Sequence, residues 1–156
     1  MRKIFCAFAI IALFSSCAFD VAGDIYFSET YKDTPLYYGD FREIKKKSDI
    51  AAFIRSRVTY QSDFVDEKSS PRETLSRGCG DCEDFAILYL NILYVVFREK
   101  GELVLVNSGD ARSVESGGIA DHAIVRLSDG QLLEPQSGQT VEYACVRYSY
   151  TFDQVF

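Results

Sequence analysis

Between Gly80 and about Lys100 a turn runs directly into a long apolar helix, and a cysteine stands at the join. Phe85, Leu88, Tyr89, Ile92, Val95 and Val96 recur at helical spacing. This places Cys82 of Gly80-Asp81-Cys82-Glu83-Asp84-Phe85-Ala86 in the first turn of that helix. Unpaired backbone N–H groups and the positive end of the helix dipole favour a thiolate there and can donate to an oxyanion. A free thiol titrates near pH ~8.5, and a helix N-terminus or a partner histidine lowers that to roughly 3.5 to 7.5. Glu83 and Asp84 suit a helix N-terminus too, but their negative charges oppose thiolate formation. A nucleophile at this position therefore needs a positive partner.

The chain has a single histidine, His122, in the alternating β-branched segment Asp121-His122-Ala123-Ile124-Val125-Arg126-Leu127, which reads as a strand. Asp129-Gly130 marks a turn, and Gln131 to Pro135 reads as the returning strand of a hairpin. With a three-residue loop from Ser128 to Gly130, position 127 pairs with 131 and Ile124 with Glu134, so Glu134 shares a face with His122 and Gln136 lies directly opposite it. A two-residue loop would shift the pairing by one and send Glu134 to the other face. The diagonal separation of roughly 7 to 8 Å is within reach of a glutamate side chain. The expected triad is Cys82 as nucleophile, His122 as base and later acid, and Glu134 orienting the ring, with Gln136 as reserve orienter.

The stretch from Gly80 to Ala86, followed by a strand beginning His122-Ala123, resembles the transglutaminase-like superfamily, and within it the bacterial transglutaminase-like cysteine proteinases. The resemblance extends upstream through Tyr60-Gln61-Ser62-Asp63 and Ser70-Pro71-Arg72-Glu73-Thr74-Leu75 and covers roughly residues 48 to 136. It implies a papain-like α+β fold and acyl transfer through a thioester, with water as acceptor in a peptidase or amidase and a lysine amine in a crosslinking transglutaminase. The proteinase-like surroundings of Cys82 favour hydrolysis of a protein or peptide substrate. This chemistry requires no cofactor. Some members of that branch bind calcium through the acidic residues flanking the cysteine, which map onto Asp81 and Glu83; carboxylates suit calcium, and acidic residues also cap helices in the ordinary way. Two positions depart from the family pattern: Glu134 where aspartate is usual, and Lys68 where many relatives have tryptophan. The oxyanion would be held by the Cys82 N–H and a second donor, for which Tyr60 and Gln61 are candidates.

Plainer readings compete with this one. Cys79 and Cys82 have the spacing of half a zinc site, which Cys145 and His122 would complete, although structural zinc sites usually pair two such motifs. The same spacing serves thioredoxin-like redox pairs, but those follow a buried strand, whereas this one follows a polar turn from Pro71 to Gly78. A Cys79–Cys82 disulfide would switch a thiol enzyme off. Cys145 alone reads as a small buried hydrophobe. A lipid-anchored binding module that keeps the fold, with its triad weakened by Glu134, is the non-enzymatic alternative.

Arg2-Lys3, the apolar run from Ile4 to Phe14 and Ser15-Ser16-Cys17 read as a secretory signal too short to span a membrane. Small residues before a cysteine resemble a bacterial lipoprotein signal, in which cleavage leaves Cys17 as a lipidated N-terminus; ordinary cleavage nearby is the alternative. The expectation is an exported protein, anchored through Cys17 to a bacterial membrane on the periplasmic or cell-surface side. Removing residues 1 to 16 from the 156 leaves 140, a length suited to one domain. Losing Arg2 and Lys3 moves the formal charge from −6 to −8. So acidic a chain lacks the basic surface that nucleic acid requires.

Residues 17 to 47 read as a tether and irregular entry segment, and residues 48 to 156 as the catalytic domain. Within it Ser48 or Asp49 caps a helix through Val58, Glu102 to Asn107 is a strand, Gly109 to Gly118 is a polar loop placed to gate substrate, and Val141 to Tyr150 is a last strand whose aromatics pack. The sum is an α+β domain of helices on an antiparallel sheet.

Overall fold

The computed structural model describes residues 41–62, 69–107, 120–142 and 146–156. The signal segment with Cys17, most of the tether, Lys68, the Gly109–Gly118 loop and Cys145 lie outside the described residues. In chain order the elements are α1 (Asp49–Arg57), β1 (Thr59–Tyr60), α2 (Pro71–Arg77), β2 (Cys79–Gly80), α3 (Cys82–Phe97), β3 (Glu102–Val106), β4 (His122–Arg126), β5 (Leu132–Leu133), β6 (Val146–Thr151) and α4 (Phe152–Val155).

Helix α3 is the hub. Every residue from Asp84 to Leu93 is buried, so the helix is covered on all sides. Each fully buried Leu, Ile or Phe contributes about 1.5–3 kcal/mol of transfer free energy. Its covering layers are α1, through Ile50, Phe53 and Ile54, and the inner face of the sheet, through Leu103, Leu105, Ala123, Val125 and Leu133. Val104, Val106 and Ile124 form a smaller cluster on the sheet's outer face with Leu132 and Val141. The alternation that made these segments legible as strands is thus shared between two apolar surfaces.

The four strands form an antiparallel sheet in the order β5-β4-β3-β6, a mixed α+β architecture consistent with a transglutaminase-like core. The β4–β5 hairpin has the register expected of a three-residue loop: Val125 pairs with Leu133, Arg126 with Leu132, and the Leu127 N–H donates to the Gln131 carbonyl at 2.9 Å. Gly130 makes this loop possible, because its φ of 88° lies where a side chain would be strained.

Two strands are shorter than their sequences suggest. β5 ends at Leu133, since Pro135 begins a turn and the chain folds back to bridge Thr140 to Leu133. The last strand runs from Val146 to Thr151 and does not begin at Val141, whose N–H instead donates to the Leu132 carbonyl beside β5. Tyr148 and Tyr150 of β6 pack against the core, as expected of that strand's aromatics.

Local capping fixes the helix ends. Ser70 and Glu73 form a reciprocal capping box at α2, with Pro71 at its first position. At α1 the N-cap is Ser48, but no side-chain bond is made there; Asp49 instead accepts from the Lys45 and Lys46 N–H groups at 3.0 and 2.9 Å. Among the described residues no helix is long and apolar enough to cross a membrane.

Candidate active site

Asp81 is the N-cap of α3, and its Oδ1 accepts from the Glu83 and Asp84 N–H groups at 3.1 and 3.2 Å. That cap presents Cys82 in the first turn. Two buried contacts hold the turn from below. Asp84, whose side chain is 1% exposed, accepts from Arg77 Nη2 at 2.7 Å and from the Ser69 N–H at 2.8 Å, tying α3 to α2 and to the segment before it. Gly80 packs directly on Asp84, since a Cβ there would lie 2.6 Å from the Asp84 Cβ. The glycine before the cysteine thus exists for close approach rather than for backbone conformation.

The parallel ribbon of β1 and β2 pairs Thr59 with Cys79 and Tyr60 with Gly80. Tyr60 is thereby set beside the helix start, half exposed, with its ring centroid 6.3 Å from that of Phe85. Burial first, and then the charges of Cys82, Asp81, Glu83 and Glu134, hold the phenol above its ordinary value. Gln61 continues the ribbon by donating its N–H to the Gly80 carbonyl at 2.9 Å. Tyr60 is drawn to the site, while Gln61 is placed there by its backbone.

The Cys82 sulfur rests against β4, where the Ala123 N–H donates to it. Next to Ala123, the His122 Nε2 lies 2.6 Å from Glu134 Oε2, the two side chains being 18% and 17% exposed. Glu83 acts electrostatically on both Cys82 and His122, and Glu134 on both Tyr60 and His122. Cys82, His122, Glu134 and Tyr60 therefore share one site. Gln136 does not stand opposite His122, because the ladder has ended and Gln136 sits in the turn after Pro135. It contributes through its backbone N–H, which donates to Glu134 Oε1 at 3.2 Å.

The expectation that the helix terminus favours a thiolate is not met in this resting arrangement. Burial pushes the Cys82 thiol well up, and Glu83 adds to this both by its charge and by accepting from the sulfur at 3.3 Å; the Ala123 N–H acts in the opposite direction but is outweighed. Burial and Glu83 thus favour the protonated sulfur. His122 is raised above its ordinary 6.5, first by the bond to Glu134, then against the effect of burial, with added help from the charges of Glu134, Asp121 and Glu83.

That shift has a consequence for stability. A histidine whose folded pKa exceeds its unfolded value stabilises fully below about pH 6.5, and this contribution is lost as pH rises through the raised folded value. Urea denaturation from about pH 5 to 9 is expected to show a gap between wild type and His122→Ala that narrows with rising pH. A gap independent of pH would mean that the pair carries no linked proton.

Cys79 and Cys82 are both free thiols, Cys79 half-buried in β2. Among the described residues the metal-capable side chains that converge are Asp81, Cys82 and Glu83, whose ligand atoms lie within 4.8 Å of one another. Asp81 Oδ1 is engaged with the cap and Glu83 Oε2 with the thiol. Two carboxylates fit calcium better than zinc, which would draw on the sulfur instead.

Sequence reasoning missed three parts of this site: the Asp84–Arg77 strut, the Gln136 N–H on Glu134, and the thiol's bond to Glu83. The first had a signal in the capping box and glycine that bracket α2, which fix where Arg77 ends up.

Comparison with known proteins gives one match. Residues 36–95, under half of the chain, match the family model of the transglutaminase-like superfamily, a span that includes Cys82 and stops before His122 and Glu134. No curated protein and no solved structure matches the chain.

Proposed function

We propose that this chain, whose residues 36–95 match the transglutaminase-like superfamily model, is an exported cysteine peptidase or amidase, working through Cys82, His122 and Glu134 on a protein or peptide substrate. The observation that carries this reading is the 2.6 Å contact of His122 Nε2 with Glu134 Oε2, one residue from the N–H that touches the Cys82 sulfur. With Nε2 engaged by Glu134, the proposal assigns uptake of the thiol proton to Nδ1.

In the proposed reaction Cys82 Sγ attacks the amide carbonyl carbon as its proton passes to His122. The resulting oxyanion is held by the Cys82 N–H, with Tyr60 as second donor. The C–N bond then breaks, the proton moves from His122 to the departing amine, and a thioester remains. Water attacks the thioester, gives a proton to His122, and the carboxylic acid leaves as Cys82 recovers its thiol. An amine attacking instead of water would make the same site a crosslinking transglutaminase. Because burial and Glu83 favour the protonated sulfur, His122 acts as a general base on a thiol, not as the cation of a preformed ion pair.

Asp81 and Glu83 would hold calcium. A cation there would offset the negative charge of Glu83 and Asp81, which adds to the effect of burial on the thiol. The remaining features of the proposal are a lipid anchor at Cys17, attachment to a bacterial membrane on its periplasmic or outer side, and no nucleic-acid partner. A second reading, a lipid-anchored binding module with an idle triad, draws on the thiol's burial and its bond to Glu83.

Incubation with p-nitrophenyl acetate followed by mass spectrometry of the Cys82 peptide separates these readings. The expected result is an acetyl group on Cys82 that turns over in water, and faster when calcium is present. Transfer of most of the acetyl to added lysine methyl ester would favour the crosslinking enzyme. Absence of any acetyl on Cys82 would favour the binding module.

A further inference from the structure

Glu134 stands just beyond the last ladder pair of β5, so strand pairing no longer fixes its backbone. Its place is set by the turn that follows. The Glu134 N–H donates to the Gln139 carbonyl at 2.9 Å, the Gly138 N–H donates to the Glu134 carbonyl at 2.8 Å, and the Gln136 N–H donates to Glu134 Oε1 at 3.2 Å. These bonds make the turn internally rigid, but they do not by themselves fix it relative to His122. A tie from outside comes from α1, whose Arg55 guanidinium donates to the Gln136 carbonyl across 81 positions of sequence. The same helix meets the turn at Gly138, where a Cβ would lie 3.0 Å from that of Ala51.

We propose that Arg55 is a positioning residue for the triad: by holding the Gln136 carbonyl it fixes the turn in which the N–H of the same residue locks one oxygen of Glu134, so that the other oxygen meets His122. A glutamate has one more rotatable bond than the family's aspartate and needs such a lock more. The Gln136 backbone supplies it from both sides, its N–H on the carboxylate and its carbonyl on Arg55. Arg55 touches neither substrate nor the reacting sulfur in this account. The inference rests on the Cys-His-Glu reading and deepens it.

The test reads the pH midpoint and plateau of Cys82 acetylation by p-nitrophenyl acetate in the full chain. Arg55→Ala is expected to lower the plateau about three- to tenfold, the worth of one hydrogen bond, and to move the midpoint down toward that of Glu134→Ala. Arg55→Lys, which can still donate to a carbonyl, is expected to recover part of both. Adding Arg55→Ala to Glu134→Ala is expected to change neither value further, because the group it positions is gone. Arg57→Ala, on the same helix as Arg55, removes an exposed ion pair with Glu43 and a contact over the Phe53 ring, and is expected to leave the midpoint in place. Should Arg55→Ala fail to fold, Arg55→Gln is read in the same way. An unmoved midpoint in Arg55→Ala, or losses that add in the double variant, overturns the inference while leaving the triad standing. An unmoved midpoint in Glu134→Ala itself overturns both.

Discussion

His122→Ala is expected to lower the rate of Cys82 acylation by about 10²- to 10⁴-fold, the usual worth of a positioned general base. The reason lies in the resting state of the sulfur. If Cys82 were already a thiolate, removing the histidine would cost less, because nucleophile formation would not depend on a proton acceptor. Burial and Glu83 instead favour the protonated sulfur, so attack requires the proton to leave during the reaction, and the proposed acceptor is His122, which must take the thiol's proton in place of Glu83. Glu134→Ala should cost less than His122→Ala, since it disorders the base without deleting it. Steady-state and burst kinetics with an activated ester would check both, and circular dichroism would show that the fold survives. Equal rates in wild type and His122→Ala would contradict the assignment of the base.

Arg77→Ala is expected to give the largest loss of stability, about 3 kcal/mol, because it removes the Arg77 guanidinium from the buried carboxylate of Asp84. The estimate sits at the lower end for a broken buried pair, since the Arg77 side chain is 41% exposed and water can follow it inward. Asp84 also holds the Ser69 N–H and packs under Gly80, so the strut supports the turn that presents Cys82. Activity should therefore fall together with the unfolding midpoint measured in urea. A midpoint within the error of wild type would show that the pair is solvated and contributes nothing.

The parts of the fold legible in the sequence are those fixed by near neighbours. Helix α3 announces itself through the spacing of its apolar residues, and the β4–β5 register follows from a three-residue loop closed by Gly130. That register carries the encounter of His122 with Glu134, which is why a pairing twelve residues apart could be expected. Gln136 was out of reach of the same logic, because Pro135 ends the strand just where the extrapolation needed it to continue. The state of the sulfur was only half legible. Glu83 next to Cys82 signals opposition to a thiolate, but the larger effect is burial under the sheet, which no local pattern reports. Arg55 and Gln136 lie 81 positions apart, and Arg55 alone reads as a cation in the last turn of an exposed helix face.

The most direct test of the Cys-His-Glu assignment is the pH dependence of Cys82 acylation by p-nitrophenyl acetate in wild type, His122→Ala and Glu134→Ala. The account predicts that the wild-type rate rises to a plateau with a midpoint above 6.5, following the raised titration of His122. The midpoint should fall in Glu134→Ala, where burial is opposed only by the charges of Asp121 and Glu83, and the plateau should vanish in His122→Ala, leaving a slow rate that climbs with hydroxide. One shared profile for all three proteins would contradict it and make Cys82 an ordinary buried thiol.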